Sequence, residues 1–357
     1  MFYPLQKKKS IVEGKIYILV SIIEHMVYIY KKIIGEKAYY YLRASERKNK
    51  KVVAKDIAYL GSSLDDVKKS LENIPKYSEQ IRKAYKTIHN FLESNRYLEK
   101  ARELKLRKDE YLKDNIYEIE ACKIHYNSEY KKQEELTKQE IIKNFVVEFA
   151  YNTTSIEGNT IKLEEARNLL QDGITPKNKT LREVYDLQNT EKTFLKLLEV
   201  EEEVSDELII NIHKELMNNI DARVGYRTSD VRVIKANFKA TPAPYVKIDM
   251  KLLIEWYNKN KEILHPLVLG TVFHHKFEKI HPFMDGNGRT GRMIFNYILI
   301  KHKYPPLIIH KKTRKEYLDS LRKADNSNLT IIKKEDYQKL INYTNNEMID
   351  TYWNIFL

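Results

Sequence analysis

Cysteine is almost absent: Cys122 is the only one in 357 residues. That excludes an intramolecular disulfide and any cysteine-based zinc site. Glycine and proline are scarce, at 10 and 9 residues, which excludes collagen-like and Pro/Gly-rich low-complexity designs. No apolar run approaches the ~20 residues of a membrane-spanning helix, so no membrane partner is expected. Charge of neither sign is lacking. Charged residues make up 32% of the chain in a mixed pattern, unlike a wholly disordered acidic or basic protein. With 42% apolar residues, a core can be buried, either in two domains or in one large domain with an appendage.

The formal net charge is +13, and residues 1–60 hold 13 Lys/Arg against only 5 Asp/Glu. More than half the excess therefore lies in the first sixth of the chain, which points to a basic N-terminal appendage. Lys7-Lys8-Lys9 and the apolar stretch Ile16–Ile23 faintly resemble a signal peptide. Glu13 and Lys15 interrupt the approach, Glu24-His25 follow, and no small-residue cleavage site is present. A cytoplasmic location is expected. Residues 1–26 read as an extension, with Met26 an alternative start.

Residues 27–63 read as a small basic β unit. Segments 38–43 and 52–60 are rich in strand formers, and Lys48-Asn49-Lys50-Lys51 reads as a turn between them. Ser63 can cap the helix that follows. The unit is either a basic, aromatic-bearing ribbon that touches nucleic acid through 27–60 or a small solvated sheet packed on the next domain. Residues 64–137 read as a helical connector. A long amphipathic helix is expected over 79–112 and a second over 115–136, forming a bundle or a partner-binding coiled coil. Further helices are expected at 138–156, 181–200, 206–219, 247–261, 266–280, 289–302, 312–324 and 334–356. A short β-hairpin is expected within 226–246.

One string concentrates the chemistry: His281-Pro282-Phe283-Met284-Asp285-Gly286-Asn287-Gly288-Arg289-Thr290-Gly291-Arg292. A helix ends near Ile280 and another starts near Arg289. Gly286, Asn287 and Gly288 can turn successive backbone N–H groups to one side and form an anion nest at the helix N-terminus. Arg289 and Arg292, three apart, can reach the same anion, and their planar forks suit phosphate. Asp285 is a hard oxygen ligand of the kind Mg²⁺ uses together with phosphate oxygens. His281 can take a proton near neutral pH. Base, metal ligand, cradle and two cationic clamps together describe phosphoryl or nucleotidyl transfer.

The string resembles the HxFx[DE]GNGRxxR motif of the Fic (filamentation induced by cAMP) family, and every defined position is met. His274, Phe277 and Ile280 match the family's lead-in helix. The resemblance covers 138–325 and implies an all-α core that transfers AMP from ATP to a protein hydroxyl. His281 would be the general base and Asp285 the Mg²⁺ ligand. Gly286, Asn287 and Gly288 would cradle the α- and β-phosphates, Arg289 would hold the phosphate chain, and Arg292 the γ-phosphate. Tyr317 sits where the family often stacks an aromatic on the base, and Asp325 where some members carry an adenine-contacting Asn.

Thr153-Thr154-Ser155-Ile156-Glu157-Gly158 resembles the family's inhibitory motif, [ST]xxxE[GN], with Thr153 and Glu157 in the defining positions. A carboxylate paired with Arg292 would remove the γ-phosphate's partner and repel the triphosphate. Val233, Ile234, Lys235, Ala236 and Asn237 would form the edge of the family's flap, a hairpin that aligns a target by strand addition. The β unit also loosely resembles basic ribbons attached to some archaeal and bacterial proteins, which implies no activity.

The expectation is therefore a mainly α protein: an all-α Fic core with a short β-hairpin flap, a helical connector and a small N-terminal β unit. Residues 326–357 would add a C-terminal helix packed on the core. The activity implied is Mg²⁺-dependent protein adenylylation, autoinhibited by Glu157. The target would be an unidentified protein with a Ser, Thr or Tyr hydroxyl, or the chain itself, and a homodimer is the candidate assembly. Two alternatives stand: removal of AMP at the same site, and a nucleic-acid-associated adaptor with a regulatory Fic domain.

Overall fold

The computed structural model describes residues 26–35, 37–48, 51–231, 239–330 and 332–357. Its described part divides into two compact units, one ending at Leu92 and the other running from Glu93 to Leu357.

The first unit opens with an antiparallel meander of β1 (Met26–Ile34), β2 (Lys37–Lys48) and β3 (Lys51–Gly61). Ile29 pairs with Leu42 and Val27 with Ala44. The two-residue period therefore puts Val27, Ile29, Tyr40 and Leu42 on one buried face. Helix α1 (Leu64–Glu72) follows, then α2 (Ser78–Lys83) and α3 (Tyr85–Glu103). Ser63 caps α1 as expected, its hydroxyl accepting from Asp66 N–H at 3.1 Å. Leu64, Val67, Ala84, Ile88 and Leu92 close over the sheet's buried face.

The connector expected at 64–137 is thus divided: residues up to Leu92 belong with the sheet and those beyond belong to the larger unit. Nor is 79–112 one helix. Ala84 separates α2 from α3, and α3 stops at Glu103. Asp109 accepts from the N–H groups of both Tyr111 and Leu112 at 2.8 Å. That side-chain turn competes with helix, and it lets Tyr111 and Leu112 bury in the core.

The larger unit continues with α4 (Ile116–Ser128), α5 (Glu135–Ile156), α6 (Leu163–Asp172), α7 (Leu181–Leu197) and α8 (Asp206–Leu216). After them come α9 (Val246–Asn260), α10 (Pro266–Ile280), α11 (Asn287–Lys301), α12 (Arg314–Ala324) and α13 (Lys334–Ile355). Helix α6 was not anticipated, although Ala166 and Leu169 are buried and Gly173 closes it in the left-handed conformation. Helices α10 and α11 lie at the centre, with Phe273, Phe277, Met293, Ile294 and Ile298 fully buried. Helix α13 packs on both α10 and α12. The expected hairpin edge, Val233 to Asn237, lies outside the described residues. The flanking residues that are described contain no strand. No described helix is long and apolar enough to cross a membrane.

Candidate active site

Helix α10 ends at Ile280, and His281 follows with φ 53°, the left-handed turn that breaks the helix. Gly286, at φ 75°, begins α11 in the same region. Between them Asn287 ties the loop to itself. Its Oδ1 accepts from Phe283 N–H and its Nδ2 donates to the Phe283 carbonyl, both at 2.8 Å. Asn287 is buried, so its main work is to shape the loop at the start of α11.

Two residues absent from the sequence motif hold this loop from outside. Arg227 is buried, donates through Nε to the His281 carbonyl at 2.8 Å, and its backbone N–H bonds to Pro282 O at 2.9 Å. It also donates to the carbonyls of Ser229 and Thr241, which lie on either side of residues 233–237 in the sequence. His213 lies flat on Phe283, with ring centroids 3.6 Å apart, and bonds to the Asp285 carbonyl at 3.0 Å. Burial pushes its pKa down to about 4, so the ring is neutral. Because a carbonyl only accepts, the proton sits on Nε2.

The imidazole of His281 faces the Glu278 carbonyl through Nδ1 at 3.3 Å. Nδ1 therefore carries the proton and Nε2 keeps its lone pair. Burial lowers the His281 pKa, with the Glu278 hydrogen bond opposing. The group is thus an uncharged base at neutral pH.

The charged residues of the motif are all engaged. Asp285 accepts from Gly286 N–H at 2.6 Å and pairs with Arg182. Burial alone would raise its pKa, but Arg182 and the Gly286 N–H outweigh it, and the carboxyl is held below its ordinary value. Arg289 pairs with Asp186 and donates to Met217 Sδ at 3.3 Å. Arg182 and Asp186 are one turn apart on α7, so a single helix engages both the acid and the first arginine of the loop.

Arg292 is bound by the end of α5. Its Nε donates to Thr153 Oγ1 at 2.7 Å, and its Nη2 donates to the Thr153 carbonyl at 3.0 Å and to Glu157 Oε1 at 2.7 Å. The guanidinium side chain is 3% exposed and that of Glu157 46%. A methyl group on Gly288 would collide with Glu157 Oε1 and lie 3.0 Å from Arg292 Nη1. The carboxylate therefore sits directly over the cradle. Thr153 and Glu157 meet Arg292 as the inhibitory motif implies.

Tyr317 is placed differently from expectation. It is buried, its hydroxyl bonds to His274 Nε2 at 2.6 Å, and its ring lies against His274 and Tyr343. It also lies close to Arg292, and its ring is packed among side chains instead of offering a free face to a base. Asp325 is likewise engaged, with His275 Nε2 at 3.0 Å.

An uncharged imidazole, a glycine-containing turn at a helix N-terminus and two buried arginines form an arrangement that can hold a phosphate chain. Residues 203–299 match the Fic/DOC family. Protein adenylyltransferase fic-1 of Caenorhabditis elegans is 31% identical over 183 residues, covering 50% of this chain and 36% of that protein. A probable protein adenylyltransferase of Aquifex aeolicus is 32% identical over 180 residues, covering 50% of this chain and 53% of its own. The chain thus spans about a third to a half the length of these curated relatives. The fold resembles a Fic-domain-containing signaling protein from Bacteroides thetaiotaomicron, with TM-score 0.61, 23% identity, and coverage of 68% of this chain and 96% of that one. It also resembles Fic-1 of C. elegans, with TM-score 0.57, 22% identity and 82% coverage of both chains. Through this domain the chain is similar to the Fic/DOC family in sequence and in fold.

Proposed function

We propose that this chain is a protein adenylyltransferase held in check by Glu157. The observation that carries the reading is the arrangement around α11: His281, with Nδ1 on the Glu278 carbonyl and Nε2 keeping its lone pair, at one end, and Arg292 clamped by Glu157 at the other. A target hydroxyl would attack the α-phosphorus of ATP, and His281 Nε2 would take its proton. The bond between the α-phosphorus and the bridging oxygen would break, and pyrophosphate would leave. Arg289 and Arg292 would hold the phosphates, once released from Asp186 and Glu157.

Mg²⁺ fits as a partner of the nucleotide. Among the described residues no cluster of three or more His, Cys, Asp or Glu forms a protein cage. But Mg²⁺ bound with a triphosphate needs only one or two carboxylates, and Asp285 is partly exposed next to the cradle. Bound there, the ion would offset charge on the phosphate chain. The residues 233–237 are proposed as the target-aligning edge, and Arg227 as the anchor of its base.

The test is label transfer from α-³²P-ATP, comparing wild type, Glu157→Gly and Glu157→Gly/His281→Ala. Strong self-labelling by the first variant, weak labelling by wild type and none by the double variant is expected. No labelling in any, with ATP or the other triphosphates, would overturn the transferase reading. Release of AMP from a modified protein, lost in Glu157→Gly, would assign the site to removal instead.

A further inference from the structure

The face of the N-terminal sheet turned away from its own helices is unusual. A solvent-facing antiparallel sheet normally carries polar side chains in alternation with the core. Here the outward register holds Tyr28 and Tyr30 on β1, Tyr39 and Tyr41 on β2, and Tyr59 on β3. None belongs to the unit's core. Tyr30 is paired with Tyr41, and Tyr41 with Tyr59, so the rings form a band across the three strands. Tyr41 and Tyr59 lie 5.4 Å apart, and Tyr39 and Tyr59 6.5 Å apart. Tyr59 is 54% exposed and the other four are half-buried.

Cations border the band. The Arg43 guanidinium lies over the Tyr30 ring at 3.4 Å, and Lys32 and Lys37 at the edge of the same face are exposed. The acid on this face, Asp56, is paired with Arg43. The excess positive charge of residues 1–60 complements a polyanion. A row of rings flanked by Lys and Arg satisfies the two requirements of a single-stranded nucleic acid, aromatic faces on which bases stack and cations along the phosphate backbone.

We propose that this tyrosine face binds single-stranded nucleic acid. Bases stack on Tyr41 and Tyr59, and Lys32, Lys37 and Arg43 contact phosphates. The proposal stands independently of the transferase reading.

The test uses the full chain and fluorescein-labelled oligo-dT, oligo-U and a mixed-sequence duplex, followed by anisotropy from low to moderate salt. Single strands are expected to bind more tightly than the duplex, with affinity falling linearly on a log–log salt plot. Tyr59→Ala and Tyr41→Ala should each weaken binding about five- to a hundredfold. Tyr59→Phe and Tyr41→Phe, which keep the ring, should stay near wild type. Lys32→Gln/Lys37→Gln should flatten the salt slope. Preference between oligo-dT and oligo-U assigns DNA or RNA. Thermal unfolding shows whether each variant is folded. If an alanine variant is not, Lys32→Gln/Lys37→Gln and the strand-against-duplex comparison decide. No binding at low salt, duplex bound as tightly as single strand, or folded alanine variants that bind like wild type would each overturn the proposal.

Discussion

Glu157→Gly should raise the affinity for ATP selectively through its γ-phosphate. In the structure Glu157 makes one charge-assisted hydrogen bond to Arg292, at 2.7 Å. Such bonds contribute about 1.5–3 kcal/mol when protected from water. Glu157 is 46% exposed, so solvent screening places the effect in the lower half of that range, about 1.5–2 kcal/mol. Removing the competitor should then tighten ATP binding by roughly 10- to 30-fold. Arg292 itself stays in place, because Thr153 holds it through two other bonds. The assay is titration calorimetry with ATP, ADP and AMP on wild type and variant, in the His281→Ala background to prevent turnover. The gain should be large for ATP and small for AMP, which has no phosphate to meet Arg292. Glu157→Gln should fall between, since it keeps a hydrogen-bond acceptor and loses the charge. Equal gains for all three nucleotides, or no gain for ATP, would refute the reasoning.

Further outcomes follow from the same geometry. In Glu157→Gly, kcat/KM for transfer should rise with pH on an acid limb set by deprotonation of His281. Because burial lowers that pKa, the limb should lie below the ordinary histidine value of ~6.5, and a pH–rate profile measures it. Arg182→Ala should free Asp285 and strengthen Mn²⁺ binding, read by electron paramagnetic resonance. Both partners are substantially exposed, so up to about fivefold is expected, and weaker binding would instead make Arg182 a phosphate ligand. The neutral burial of His213, with its pKa near 4, means that the unfolded chain binds the extra proton between ~6.5 and about 4. Its contribution to stability is full above ~6.5 and is lost as pH falls toward about 4, of order 3 kcal/mol. Denaturant unfolding should show that slope, and His213→Asn should reduce it.

The helices of the larger unit were legible because their apolar spacing, caps and lengths are local properties. Thr180 and Glu183, for example, form the capping box that starts α7. The missing break at Leu104–Asn115 has no glycine or proline to announce it, and is made by Asp109 and by burial of Tyr111 and Leu112. Helix α6 is short, and its core contacts come from Ala166 and Leu169 packing with Val184 and Leu187 of α7.

The loop from His281 to Arg292 was legible for a different reason. Its candidate residues are contiguous in the chain, and the tight turn requires its glycines locally. The sequence by itself determined which residues are the candidates for the chemistry and, through Thr153 and Glu157, which carboxylate is the candidate to oppose them. Only the tertiary structure decided what those atoms are bonded to. Arg182 and Asp186 stand 103 positions from Asp285 and Arg289 in the chain. Arg227 is 54 from His281, and Tyr317 is 43 from His274. Such pairings arise when packed helices bring distant side chains into a shared, weakly solvated space, where an unpaired charge or polar group is costly. No spacing rule along one strand of sequence can express that requirement, because it is a property of the volume the helices enclose.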